Sequence, residues 1–154
     1  MTGWQAANPD FVRATRAFAL EMPVVQHLGF DFTDVRPGAV EITQPWTPAV
    51  AHREGFFQGG IIGALCDFAG GCASFTLLPA GWLTMTIDFT VKILAPAEGD
   101  RLVVRGHVLK HGLTISVNAA EAFAVQNGRE THCASAFVTM RHVRAPAGGA
   151  PAER

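Results

Sequence analysis

Residues 59–78 read GGIIGALCDFAGGCASFTLL, and the fold turns on them. The run has the length of a helix, is apolar on nearly every side and stops at Pro79. A helix with no polar face has to be covered all round, and the residues after it supply the cover. Thr84, Thr86, Asp88, Thr90 and Lys92 alternate with Met85, Ile87, Phe89, Val91 and Ile93, a strict period of two that predicts a strand with one polar face. Residues 101–110, 113–126 and 129–141 are further long runs rich in β-branched side chains. They are separated by His111-Gly112 and Asn127-Gly128, the second a strong type I′ hairpin signal, and predict an antiparallel meander with the strand before them.

Upstream, Asn8-Pro9-Asp10 supplies a cap, a proline for the first helical position and an acidic first turn. Phe11, Val12, Thr15, Phe18 and Ala19 follow at helical spacing, so a short helix opens the chain. Residues 30–35 and 39–44 read as a hairpin about Arg36-Pro37-Gly38. Residues 45–57 carry two prolines, a glycine and three aromatics without a period, which suits a loop that carries function. The order predicts an α+β domain over residues 1–144, a long central helix wrapped by an antiparallel sheet of about six strands, with a short N-terminal helix. Residues 145–154, with Pro, Gly and Ala, are expected to be a disordered tail.

Composition narrows the partners. Charged residues are 16% of the 154 and apolar ones 49%, against about 25% charged in an average soluble domain. So little charge means either an unusually large core for this length or an apolar surface partly covered by another subunit, and the second is expected. The formal net charge is −1 with no block of Lys and Arg, which argues against nucleic acid. Cys66, Cys72 and Cys133 form neither an even framework nor a C-x-x-C pair, so a reduced, cytoplasmic setting and no structural metal are expected. Residues 68–87 lack charge, but Pro79-Ala80-Gly81 cuts the run in two, and no membrane span is expected.

Between Glu54 and Asp88 the sole formally charged side chain is Asp67, in the middle of the apolar helix. Desolvation there raises the pKa of a carboxylate, as a general base or nucleophile requires near neutrality. The competing reading is a structural acid bonded to loop amides or water. Gly59 and Gly60 open the same helix, where backbone N–H groups at the positive end of the dipole can polarise a carbonyl and hold an oxyanion. A tight turn is the alternative use of two glycines. Asp67 lies seven residues past Gly60, about two helical turns, on nearly the same face.

HREGFFQGGIIGALCDFAGGCAS, followed by TMTIDFTVKILAPAEGD, resembles the acyl-CoA thioesterases of the hotdog fold, in particular the phenylacetate-degradation type. The resemblance runs over residues 29–143. It matches Gly59, Gly60 and Asp67 to a helix that begins His-Gly-Gly with Asp seven residues after the second Gly, and Leu94-Ala95-Pro96-Ala97 to a proline-containing turn. It implies a hotdog fold and a thioester hydrolase whose site is shared between two subunits, as a homodimer or a dimer of dimers. Asp67 would be the base or nucleophile, the Gly60 amide, with Gly59, would hold the thioester oxygen, and Thr86 would position water from the facing subunit.

The substrate implied is an acyl-CoA, with coenzyme A entering as part of it and no further cofactor. Phe57, Phe68 and Trp82 are candidates to line the acyl pocket. This chain departs from the pattern at two positions. Gln58 stands where the family has His, and His52 where it often has Asn or Gln six residues earlier. Gln58 can donate an amide N–H to a carbonyl but cannot become cationic, so an imidazole step would need His52 to reach the site. The competing functions are a hotdog hydratase, for which the helix offers no His after Asp67, a non-catalytic acyl-CoA binding or sensing module favoured by Gln58, and a subunit that serves assembly alone.

Overall fold

A computed structural model of the chain describes residues 3–146. The expected tail therefore lies outside the described residues except for Ala145 and Pro146, and the Ala145 N–H donates to the Gly81 carbonyl at 2.9 Å. In chain order the elements are helix α1 (Phe11–Leu20), helix α2 (Pro23–Leu28), strands β1 (Asp31–Arg36) and β2 (Ala39–Pro45), a 3-10 turn (Pro48–Val50), the short strands β3 (Ala51–Arg53) and β4 (Phe56–Phe57), helix α3 (Gly59–Phe75), and strands β5 (Trp82–Ile93), β6 (Arg101–His111), β7 (Ile115–Gln126) and β8 (Arg129–Arg144).

The long strands form one antiparallel sheet in the order β1-β2-β6-β7-β8-β5, and α3 packs across it. The meander holds, with β5 joining it beside β8 rather than beside β6. Asn127 and Gly128 both take positive φ, 51° and 76°, as the type I′ turn between β7 and β8 requires. Leu65, Cys66, Ala69 and Ala73 of α3 are wholly buried against a sheet floor built from Ile42, Leu102, Val104, Ala120, Ala122 and Val138. Alanines on β7 let the helix come close, and Gly106 on β6 goes further: a Cβ there would overlap the Ala69 carbonyl.

Four local expectations are corrected. Helix α1 starts at Phe11 with Asp10 as its cap residue, so Pro9 precedes the helix; Asn8 Oδ1 accepts from the Asp10 N–H at 3.0 Å in a local turn rather than capping. Helix α3 ends at Phe75, three residues short of Leu78, because the Leu77 and Leu78 N–H groups tighten to carbonyls three residues back. Helix α2 was not expected, although Pro23 at its start and Gly29 (φ 81°) at its end are the signals of a helix. The loop over residues 45–57 contains the β3 and β4 pair.

The fifth correction positions the site. The period of two in β5 is broken by a bulge: Thr86 pairs with Met140 and Asp88 with Thr139, leaving Ile87 as an extra residue. One extra residue reverses which side chains face the helix. Before the bulge Thr84 and Thr86 point inward, Thr84 buried and Thr86 bonded to α3. After it Phe89 and Val91 point inward, against Gly63 of α3, while Thr90 and Lys92 line a groove on the outer face with Glu121 and Phe137. The strand therefore has no single polar face.

Candidate active site

Asp67 and Thr86 meet. The Thr86 hydroxyl donates to the Asp67 carboxylate, with Oδ1 at 2.9 Å and Oδ2 at 3.2 Å. The resemblance placed Thr86 on the facing subunit; here it is bonded to the Asp67 of its own chain. Burial pushes the Asp67 carboxyl up, and the Thr86 hydrogen bond, which favours the charged form, opposes part of that rise. The two side chains sit at a cavity of about 190 Å³ whose other walls include Phe18, Met22, Phe68, Cys72 and Met140. Cys72 offers no thiolate to compete with the carboxylate, because burial and the charge of Asp67 push its thiol up to about 12.

At the start of α3 Gln58 is the N-cap residue, and its Oε1 accepts from the Ile61 N–H at 3.0 Å. The cap occupies the carbonyl end of the amide and leaves the NH₂ end to donate. The Gln58 side chain lies over Gly60, where a Cβ would stand 2.9 Å from Oε1, so glycine there keeps the cap in place. Gln58, Gly59 and Gly60 are exposed, and the Gly59 and Gly60 amides, which come before the first intrahelical bond, face solvent with no partner among the described residues.

Of the residues singled out from the sequence, Asp67, Thr86 and Phe68 come together at one cavity. Gln58, Gly59 and Gly60 stand together about 11 Å away along the helix axis. His52 is exposed on β3. Phe57 is buried in the core, and Trp82 is half-buried at the start of β5 with the Arg144 guanidinium 5.4 Å above its ring. Neither lines the cavity. Among the cations, Arg105 is already committed, to Glu41 at 2.8 Å and to Glu130 at 2.7 Å.

Sequence reading missed Phe18, Met22 and Thr84 as cavity residues. Phe18 was legible as part of an apolar helix face, but what that face covers depends on how α1 docks. Thr84 was hidden by the bulge, since an unbroken alternation puts it with the outward Asp88.

Three comparisons bear on this arrangement. A thioesterase family protein from Silicibacter pomeroyi matches with a TM-score of 0.84 and 32% identity, over 88% of this chain and 99% of its own. A phenylacetic acid degradation-related protein of Ralstonia eutropha, provisionally a thioesterase, matches with a TM-score of 0.70 and 26% identity, over 85% of this chain and 98% of its own. A curated protein of Halobacterium salinarum, provisionally named an esterase, is 30% identical over 122 residues, 76% of this chain and 79% of its own length. No protein-family model matches the chain. Among the described residues no helix is long and apolar enough to cross a membrane, and no group of three or more His, Cys, Asp or Glu could hold a metal ion.

Proposed function

The chain belongs to the thioesterase family with the hotdog fold, and from that premise we propose that it hydrolyses an acyl-CoA thioester to the free acid and coenzyme A. The observation that carries the proposal is the half-buried Asp67 carboxylate, bonded to Thr86 at the wall of an apolar cavity. In that setting the carboxylate takes a proton from water as the water oxygen adds to the thioester carbonyl, and collapse of the adduct breaks the C–S bond and returns the proton to the departing coenzyme A thiolate. On the other route the carboxylate itself adds, the C–S bond breaks to leave an anhydride and coenzyme A, and water then cleaves the anhydride. Thr86 holds one carboxylate edge and fixes which lone pairs face the substrate. The Gly60 amide, with Gly59 and the Gln58 NH₂ beside it, receives the carbonyl oxygen as it gains charge.

Both functions cannot be served on one carbonyl within one chain. Gly60 and Asp67 are about 11 Å apart along α3, whereas the oxyanion donor and the base must both lie about 3 Å from the reacting group. We infer that a second copy supplies the missing half, its Gly60 facing this chain's Asp67. Strand β5 is the surface available for that contact, since it lies at the sheet edge and exposes Met85 (57%) and Ile87 (54%).

The test is thiol release from a panel of aromatic and aliphatic acyl-CoA esters by wild type and Asp67→Asn. Turnover by wild type and a loss of at least about a hundredfold in the variant are expected. Binding of acyl-CoA by both proteins with turnover by neither would instead make this a binding module.

A further inference from the structure

The cavity beside Asp67 runs along α3. Asp67, Phe68, Gly71 and Cys72 line it from the helix side, and Phe75, one turn further on, lines a second space. That space is a surface groove of about 490 Å³, shared with Ala14, Ala17, Glu21 and Leu83. Residues 67, 71 and 75 are four apart, so they stack on one face of the helix and set cavity and groove in one line about 12 Å long. Two half-buried side chains line both spaces, Phe18 of α1 and Met22, the cap residue of α2, and they form the partition between them.

The two halves of the partition are held differently. The Phe18 ring stacks on Phe75 at 4.3 Å between centroids and 9° between planes, which fixes it against the end of α3. The Met22 backbone is pinned, because its carbonyl accepts from the Val25 and Gln26 N–H groups, each at 3.0 Å. Its side chain is an unbranched thioether with three rotatable bonds, the part of the wall that can be pushed or cut away.

We propose that Met22, backed by Phe18, is a specificity-determining residue that sets the length of the acyl group. The assignment rests on the thioesterase reading above. The acyl chain runs from the carbonyl beside Asp67 toward the C-terminal end of α3 and stops at the partition. An apolar cavity of about 150 Å³ is enough to admit benzene, so about 190 Å³ takes a group of about six carbons. The walls on that path, Phe68, Phe18, Met22 and Met140, are apolar and suit an unsubstituted chain. A chain of ten carbons has to displace Met22 to reach the groove.

The experiment measures kcat/KM over butanoyl-, hexanoyl-, octanoyl- and decanoyl-CoA. Wild type is expected to prefer hexanoyl-CoA over decanoyl-CoA by at least about tenfold. Met22→Ala, which joins cavity and groove, should raise the decanoyl to hexanoyl ratio by at least about tenfold, and adding Ala17→Trp, which fills the groove from a residue outside the cavity, should remove that gain. Met22→Phe keeps the apolar cover and thickens the wall, so it should move the optimum toward butanoyl-CoA. An unchanged optimum in Met22→Phe overturns the assignment, as does a change in Met22→Ala that is the same for every length. Binding of the same series to Asp67→Asn, with and without Met22→Ala, is measured alongside. Absence of turnover in wild type would sink the hydrolase reading alone, whereas binding whose dependence on chain length ignores Met22→Ala would sink the role of Met22.

Discussion

The Thr86 hydroxyl lies 2.9 Å from Asp67 Oδ1, a contact between the edge strand β5 and the middle of helix α3. It is the one hydrogen bond that the carboxylate accepts among the described residues, and it fixes the sign of a pH effect. Burial raises the Asp67 pKa and the Thr86 bond lowers it, so Thr86→Val, which keeps the shape, should raise it further. On the proposed mechanism the carboxylate is the active form, so kcat/KM should rise with pH through that pKa, and the acid limb should move to higher pH in Thr86→Val. A limb that stays in place would show that another group controls the rate.

Deleting Ile87 tests the bulge. Without the extra residue β5 can face α3 with Thr84 and Thr86 or with Phe89 and Val91, but not with both sets while paired to β8. Retaining the apolar pair buries more surface, so the threonines should turn outward. The expected outcome is a folded protein, by circular dichroism and cooperative melting, whose turnover falls as far as in Asp67→Asn. Turnover near wild type would mean that Thr86 and the bulge do not set up the carboxylate.

A site completed by a second copy makes a prediction that a site within one chain does not. Gly60→Val places side-chain atoms against the Gln58 cap and beside the exposed amide, and Asp67→Asn removes the base, so each variant alone should be inactive. Mixed and re-associated, half the dimers carry one of each chain, and one of their two sites has both an intact Gly60 and an intact Asp67. About a quarter of wild-type turnover should return. No recovery, with mixed dimers demonstrated by mass, would place both groups of the site in one chain.

The α+β order, the buried central helix, the type I′ turn and the setting of Asp67 as a lone charge in an apolar helix were legible because each rests on local chemistry: an uninterrupted apolar run, an Asn-Gly pair, one charge among apolar neighbours. The bulge was not legible. Val, Ile, Phe and Thr alternate through Ile87 without a Gly or Pro to mark a break, and the register is decided by what α3 and β8 demand of the strand. An unbroken alternation therefore sets Thr84 and Thr86 on one polar face with Asp88; the resemblance still points to Thr86 as a site residue, whereas nothing in the sequence singles out Thr84. Helix α2 carries its signals in Pro23 and Gly29, but six residues are too few for a helical period to show.

His142 and His111 contribute to the response of the fold to acid. The His142 ring is buried on β8, with Nε2 at 3.2 Å from the Ser74 hydroxyl and 3.1 Å from that of Ser116, and it stacks on His111 at 5.0 Å between centroids. Trp4 meets the His111 ring edge-on at 6.1 Å. Burial lowers the pKa of both rings, and for His142 the proximity of His111 lowers it further. In the unfolded chain each ring titrates near its ordinary value of about 6.5. Below that pH the unfolded state binds protons that the folded state refuses, so the contribution of the two rings to stability is full above about pH 6.5 and declines as pH falls. The raised Asp67 pKa acts with the opposite sign, and the difference between wild type and variant isolates the histidines. His111→Phe keeps the stacking and removes one proton site and its repulsion of His142. Denaturant unfolding from pH 7.5 to 5 should therefore show a shallower loss of stability in His111→Phe than in wild type. Parallel pH curves for the two proteins would mean that the rings titrate alike in the folded and unfolded chain, and that the buried pair is protonated without opening the fold.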